Sequence, residues 1–218
     1  MKLLFENWRK YLNEEQQYQI YCDMDGVLVD FVAGTVVYIT KALQEGRAEE
    51  LKAEIGRDYI TAEDIEMGGA NTSKPVRDSM YKALEHDAKF WETLPWMPGG
   101  KELWDYIAPH NPYILTAPMG EGSSRPTGGM AKPAAGYGSE IGKQAWIDKN
   151  LVPRGAPKEV FMSHNKFKWA APNRILIDDF TKNTGPWKDP KKGGHKDAIA
   201  ILHTDTNKTI QKLQDLGF

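Results

Sequence analysis

The chain has 218 residues, of which 40% are hydrophobic and 27% are charged, and its formal net charge is −2. This composition supplies enough apolar side chains for a core and excludes a wholly disordered chain. With 28 basic and 30 acidic residues, a protein that binds nucleic acid through broad electrostatic attraction is not expected. The single cysteine, Cys22, excludes an internal disulfide framework. No apolar stretch reaches the roughly 18 residues that a membrane span needs, so we expect a cytoplasmic protein without a membrane partner.

Residues 1–16 carry apolar side chains at helical spacing, with charged residues between them. This pattern predicts a short amphipathic helix ahead of the first strand. Such a helix either packs its apolar stripe on the body of the protein or serves as a docking segment.

Five short segments predict buried strands, because each is rich in aliphatic, β-branched or aromatic residues and ends at polar, glycine or proline residues. They are Tyr18–Asp23, Pro112–Thr116, Glu159–Ser163, Arg174–Asp178 and Ala198–His203. Helical patterns lie between most of them, including Lys101–Ile107, Lys143–Lys149 and Thr209–Leu216. Strands that alternate with helices predict an α/β fold with a Rossmann-like, mainly parallel sheet flanked by helices.

The spacing between the first two predicted strands indicates an insertion. It is far longer than the dozen or so residues that a crossover between parallel strands needs. The excess predicts a small helical cap with three helical segments, at Val36–Glu45, Ala48–Ile55 and Pro75–Ala88. The predicted organisation is therefore an N-terminal helix at 1–16, a core made of 17–33 and 97–218, and a cap at 34–96.

Two further segments predict loops. Residues 120–142 hold seven glycines and two prolines with almost no apolar periodicity, which favours a mobile loop directly after the second strand. Residues 187–196 form a lysine-rich turn, which is either an ordinary solvated surface or a rim that attracts phosphate.

Acidic side chains follow two of the predicted strands. Asp23 and Asp25 come directly after the first strand, where Gly26 allows a sharp turn, and Asp178 and Asp179 close the fourth strand. Because the carboxyl ends of parallel strands meet at one edge of a sheet, these four carboxylates should converge. Four negative charges that lie close together repel one another, so this group of carboxylates requires a cation. Oxygen ligands without a Cys/His cluster point to Mg²⁺.

The motifs resemble those of the haloacid dehalogenase (HAD) superfamily of aspartyl phosphotransferases, and within it the 5′(3′)-deoxyribonucleotidases with their phage and bacterial relatives. The resemblance rests on DMDGVLVDF at 23–31, FWETLP at 90–95, YILTAP at 113–118, KQAWI at 143–147 and ILIDD at 175–179. It implies a HAD-like core and a Mg²⁺-dependent hydrolase of phosphate monoesters. Nucleoside monophosphates are the substrates that it favours.

The resemblance also implies roles for the acidic residues. Asp23 would be the nucleophile that forms an aspartyl-phosphate, and Asp25 would be the general acid and base. Mg²⁺ would be held by Asp23, by the backbone carbonyl of Asp25 and by the pair Asp178 and Asp179.

Two further catalytic roles follow from the same resemblance. Thr116 would donate a hydrogen bond to a phosphoryl oxygen. Lys143 would neutralise charge on the nucleophile and the phosphate, and it is preferred because KQAWI is the context of that lysine in the family. Lys166 and Lys168, which follow the third strand, are alternatives for this role.

Four residues are candidates for contacting the rest of the substrate. Phe31 matches a position where an aromatic side chain lines the base pocket of the nucleotidases, and Phe90 and Trp91 lie near the end of the predicted cap. These aromatic residues either stack on a base or simply pack in the core. Ala117 follows Thr116 at a position where a hydroxyl residue is common in the family.

Two other functions stay open at this point. A sugar phosphate or a terminal phosphate on nucleic acid would retain the chemistry and change the substrate. A non-catalytic scaffold that binds phosphate or metal is the second alternative.

Overall fold

The structure is a computed structural model that describes residues 18–65, 80, 83–84, 86–119 and 138–218. The predicted helix at 1–16 and most of the predicted loop at 120–142 lie outside these residues, as does most of the predicted helix at 75–88.

A five-stranded parallel sheet forms the centre of the described residues and confirms the predicted α/β fold. Its strands are β1 (Gln19–Cys22), β2 (Tyr113–Thr116), β3 (Val160–Met162), β4 (Arg174–Asp178) and β5 (Ile199–Leu202). Each lies within its predicted segment. The order β3-β2-β1-β4-β5 puts β1 between β2 and β4. The carboxyl ends of these three strands are therefore neighbours at one edge of the sheet.

The helices of the described residues cover the sheet and fill the segment between β1 and β2. They are α1 (Phe31–Gln44), α2 (Glu49–Ile55), α3 (Ala62–Ile65), α4 (Ala88–Glu92), α5 (Gly100–Ile107), α6 (Gly138–Asn150), α7 (Thr181–Lys188) and α8 (Thr206–Asp215). Short 3₁₀ turns occur at Ala108–His110, Val152–Arg154, Lys166–Trp169 and Pro190–Lys192. Among the described residues, every helix is too short or too polar to cross a bilayer.

The first helix begins earlier than its apolar pattern predicts. Asp30 accepts a hydrogen bond from the backbone N–H of Ala33 at 2.9 Å and so caps α1 at Phe31. The predicted boundary between core and cap at residues 33 and 34 therefore falls inside α1.

The helix α6 corrects the prediction that residues 138–142 belong to a glycine-rich loop. A Cβ atom on Gly138 would lie 2.2 Å from the carbonyl carbon of His86, and one on Gly142 would lie 2.4 Å from Cβ of Trp91. These two glycines are needed because α6 packs in direct contact with α4 and the residues before it. The loop prediction was wrong there, since the glycines permit close packing rather than flexibility.

The sheet is apolar on both faces, as expected for parallel strands. Along β1, Ile20 and Cys22 are buried on one face in the larger hydrophobic cluster, while Tyr21 is buried on the other face with Leu176 and Trp187. The lysine-rich segment at 187–196 covers the end of α7 and a 3₁₀ turn, and its lysines are exposed. Its attraction for phosphate stays a prediction.

Candidate active site

Three neighbouring strands bring polar side chains to one edge of the sheet. Asp23 follows β1, Thr116 ends β2 and Asp178 ends β4, and their exposed fractions are only 6%, 0% and 0%. Carboxylate oxygens of Asp23, Asp178 and Asp179 lie within 4.8 Å of one another. The parallel topology thus brings together the acidic residues that the sequence places after β1 and β4.

The turn after β1 positions the second aspartate. The backbone at Gly26 has a φ of +72°, and its N–H donates to the carbonyl of Val29 at 2.9 Å. A Cβ atom at this position would lie 2.1 Å from a carboxylate oxygen of Asp179. The backbone conformation favours glycine at position 26, and any larger residue there would displace the carboxylate of Asp179.

A buried lysine lies between two of the carboxylates. Lys166 is 1% exposed, and its Nζ is 2.7 Å from Oδ2 of Asp23 and donates to Oδ2 of Asp178 at 2.6 Å. Burial favours the neutral amine, but the two carboxylates outweigh it and raise the pKa of Lys166 above its ordinary value. Lys166, which the sequence offers as an alternative to Lys143, is therefore the charged partner of Asp23.

A second buried lysine contacts Asp25 and Thr116. Lys143 is 1% exposed, and its ammonium donates to Oδ2 of Asp25 at 2.5 Å, to Oγ1 of Thr116 at 2.9 Å and to the carbonyl of Ala117 at 2.6 Å. These contacts use all three N–H donors of the ammonium group. Lys143 thus fixes Asp25 and Thr116. The lysine that contacts Asp23, the candidate nucleophile, is Lys166.

Asp25 has one carboxylate oxygen in the ion pair and one oxygen that is buried without a hydrogen-bond partner among the described residues. Burial raises the pKa of Asp25, and the positive charge of Lys143 offsets part of that effect. A carboxyl group that keeps its proton to a higher pH than usual is suited to general acid catalysis.

The two adjacent aspartates differ in their surroundings, since Asp178 is buried and hydrogen-bonded and Asp179 is accessible. Asp178 accepts hydrogen bonds from the backbone N–H of Phe180 at 2.9 Å and from Nδ2 of Asn183 at 3.1 Å, and burial followed by the charge of Asp23 raises its pKa to about 6. Asp179 is exposed and lines the adjoining cavity. Partial loss of water and the charges of Asp23 and Asp178 raise the pKa of Asp179 to about 7.

Burial contributes most to these raised pKa values, and the repulsion between the crowded carboxylates adds to it. A divalent cation would relieve that repulsion. The donors are oxygen atoms only, which is the ligand set of a hard cation. Asp23, Asp178 and Asp179 could therefore hold such an ion. Sequence reasoning assigned no role to Asn183, although an amide on the first turn of the helix that follows an acidic pair was a signal that could have found it.

The aromatic candidates are arranged in two layers. Phe31 lines the cavity and stacks on Trp91 with a centroid distance of 5.5 Å and an interplanar angle of 20°. Phe90 and Trp91 are 2% and 1% exposed, and the Trp91 ring lies 5.1 Å from Nζ of Lys143. Phe31 is therefore placed to touch a ligand, whereas Phe90 and Trp91 support it and the lysine from below.

A cavity of about 1170 Å³ opens beside the acidic residues. Asp23, Asp25 and Asp179 line the part at the sheet edge, and the cavity extends from there along α1, α5 and the start of α8. This volume exceeds what a phosphate group alone would fill.

Comparison with protein-family models and with curated proteins gives no match. Among solved structures, the chain is similar to a haloacid dehalogenase-like hydrolase of Streptococcus pneumoniae, at 16% identity and a TM-score of 0.47, over 90% of this chain and 98% of that chain. A hydrolase from Streptococcus pneumoniae TIGR4 has 13% identity and a TM-score of 0.46, over 91% and 99% of the two chains. A HAD-hydrolase of Bacillus subtilis bound to magnesium has 13% identity and a TM-score of 0.45, over 89% and 99%. The three are described as hydrolases, two of them as haloacid dehalogenase-like or HAD proteins.

Proposed function

We propose that this protein is a HAD-type, Mg²⁺-dependent hydrolase of phosphate monoesters that acts through an aspartyl-phosphate, and that it dephosphorylates nucleoside monophosphates in the manner of a 5′(3′)-deoxyribonucleotidase. One observation carries the proposal. Two aspartates, two residues apart at the end of the central strand, are each held by a separate buried lysine: Asp23 by Lys166 and Asp25 by Lys143.

This arrangement divides the chemistry between the two aspartates. Oδ1 of Asp23 accepts the backbone N–H of Met24 at 2.8 Å and Oδ2 lies 2.7 Å from Nζ of Lys166, so the carboxylate is oriented and still has lone pairs for attack. Attack on phosphorus forms the aspartyl-phosphate and breaks the bond to the leaving oxygen, which takes a proton from Asp25. Asp25 then removes a proton from water, which attacks the phosphoryl group, releases inorganic phosphate and frees Asp23.

The phosphoryl oxygens would be bound from the side of β2. The hydroxyl of Thr116 accepts a hydrogen bond from Lys143 at 2.9 Å, so its own hydrogen is free to point to a substrate oxygen. Lys143 pairs with Asp25 and Lys166 with Asp23, so each of the two aspartates has its own positive charge. Phosphoryl transfer depends mostly on positioning and charge stabilisation, which these groups supply.

Asp23, Asp178 and Asp179 would hold Mg²⁺, and the resemblance adds the backbone carbonyl of Asp25. When bound, the ion would neutralise negative charge on the phosphoryl group. The fit rests on the three carboxylates within 4.8 Å and on their oxygen-only donor set.

The experiment is phosphate release from three classes of substrate, with Mg²⁺ and with a chelator. The classes are ribo- and deoxyribonucleoside monophosphates, sugar phosphates, and oligonucleotides with a terminal phosphate. We expect metal-dependent turnover that is lost in Asp23→Asn and retained in Asp58→Asn, which makes the same change at an exposed position outside the cavity. Turnover of only sugar phosphates or oligonucleotide ends would retain the reaction and overturn the nucleotide substrate. Absence of turnover on all three classes would overturn the proposal and favour a scaffold.

A further inference from the structure

The cavity has a second wall, beyond the catalytic residues, that the proposed reaction does not use. We call it the distal wall, and it consists of the cavity-lining residues within 97–102 and 203–207. Its two segments are in direct contact, because a Cβ atom on Gly99 would lie 2.3 Å from Oγ1 of Thr206. That hydroxyl oxygen is buried and has no hydrogen-bond partner among the described residues. The distal wall is thus a preformed surface made of two segments that pack tightly against each other.

Acidic side chains of the described residues line the cavity without lysine or arginine to balance them. Its lining includes six carboxylates, from Asp23, Asp25, Asp30, Glu102, Asp179 and Asp205, and no Lys or Arg among its described residues. The two lysines of the catalytic edge are each 1% exposed and are bound to carboxylates beneath the surface. Three of the six carboxylates, those of Asp30, Glu102 and Asp205, do not belong to the catalytic edge, so the potential in the rest of the cavity is negative as well.

The carboxylates of this region are also held in place as acceptors. Asp30 and Asp205 each use one oxygen to cap a helix, accepting the N–H of Ala33 and of Lys208 at 2.9 Å. The second oxygen of each remains an additional acceptor, as do both oxygens of Glu102. A ligand that fills the cavity would therefore meet acceptors that need hydrogen-bond donors.

We infer that the distal wall is the leaving-group subsite, and that it takes an uncharged or cationic group bearing hydroxyl or amino donors while it rejects a group with a second phosphate or a carboxylate. This inference rests on the proposed function and names the substrate class of the same site. A nucleoside monophosphate meets the requirement, because its leaving group is neutral and carries hydroxyl groups. A nucleoside bisphosphate or a phosphorylated carboxylic acid does not.

Two matched pairs of substrates test the inference. One is deoxythymidine 5′-monophosphate against the 3′,5′-bisphosphate, and the other is glycerol 3-phosphate against 3-phosphoglycerate. In each pair the second compound has an additional anionic group. We expect kcat/KM to favour the first compound by about tenfold or more in both pairs, which corresponds to one repulsive contact of about 1.4 kcal/mol.

Charge-reversal variants assign the effect to the distal wall. Glu102→Lys, which changes an exposed residue of the wall, should reduce the preference about tenfold, and Glu102→Gln should reduce it by less. Asn207→Lys adds a positive charge to the other segment of the distal wall, 203–207, and should also reduce the preference. This second variant tests the inference if Glu102→Lys does not fold. Glu54→Lys, an equal charge change at an exposed position outside the cavity, should leave the preference unchanged.

The outcomes separate this inference from the proposed function. If the wild-type protein hydrolyses both members of each pair equally, or if the variants of the wall behave like Glu54→Lys, the subsite is wrong and the hydrolase stands. If the wild-type protein hydrolyses none of the four compounds and none of the nucleotides, the proposed function itself is wrong.

Discussion

Replacing Lys166 by Met tests the electrostatics of the site directly. The substitution retains a long, unbranched side chain and removes the charge between Asp23 and Asp178. Both carboxylates would then be buried without their cation. We expect a large loss of stability in the metal-free protein at pH 7.

The magnitude follows from the geometry. The two carboxylates have oxygens within 4.8 Å of each other, and two like charges at that distance repel by about 3 kcal/mol at an effective dielectric constant of about 20. Removing one partner of a buried ion pair costs about 3–5 kcal/mol in general. A loss in this range corresponds to a decrease of about 6–20 °C in Tm for a chain of this size.

The assay is urea unfolding of the wild-type protein and of Lys166→Met, each with a chelator and with excess Mg²⁺. Lys168→Met is the matched control, because Lys168 is exposed on the same 3₁₀ turn and should change the free energy of unfolding by less than about 0.5 kcal/mol. Adding Asp178→Asn to Lys166→Met removes one of the two like charges and should recover part of the loss. Mg²⁺ should stabilise Lys166→Met more than the wild-type protein, since the ion would replace the missing positive charge.

The electrostatic reasoning is refuted if Lys166→Met loses less than about 1 kcal/mol in the presence of chelator, as that would be far below the repulsion expected for two buried carboxylates. It is also refuted if the double variant is no more stable than the single one. Either result would mean that the carboxylates avoid each other without the lysine.

Three further changes have distinct expected outcomes. Gly26→Ala should destabilise the protein by about 2 kcal/mol or more in urea unfolding, because φ is +72° and the new Cβ would meet a carboxylate oxygen at 2.1 Å. Gly56→Ala, where φ is +68° and the Cβ would meet open space, should lower the free energy of unfolding by only about 1 kcal/mol. Equal losses in the two variants would contradict this reasoning. Lys143→Met should move the alkaline limb of the plot of kcat against pH to higher pH. Lys143 lowers the pKa of Asp25, so without the lysine the proposed acid stays protonated to a higher pH. An alkaline limb that moves to lower pH or does not move would argue against Asp25 as the general acid. Phe31→Leu should raise KM for nucleoside monophosphates more than it lowers kcat, and an unchanged KM would remove Phe31 from the binding site.

The strands and the acidic edge could be predicted because they depend on local pattern and on one topological rule. Three-residue apolar runs, at 20–22 and 175–177, that are followed by aspartate identify β1 and β4. Parallel pairing then places the residues at the ends of these runs side by side. The sequence alone therefore predicts that Asp23 and Asp178 are neighbours.

The two lysines and the start of α6 depend on packing between distant segments. Gly138 and Gly142 have the local signature of a flexible loop, and only their contact with α4 and the residues before it shows that they belong to a helix. Likewise, Lys143 and Lys166 are both plausible partners of Asp23 in the sequence. Their assignment to different aspartates depends on the relative position of α6 and the turn after β3, which local pattern does not contain.

The most direct test of the account is a search for a phosphoryl group on Asp23 during turnover. The protein would be mixed with a nucleoside monophosphate that it hydrolyses, quenched in acid within one turnover, reduced with borohydride and digested for mass spectrometry. Borohydride converts an aspartyl-phosphate to homoserine, so the account predicts homoserine at position 23 in the wild-type protein and none in Asp23→Asn. Steady turnover without homoserine at position 23, or with homoserine at another aspartate, would contradict the proposed mechanism.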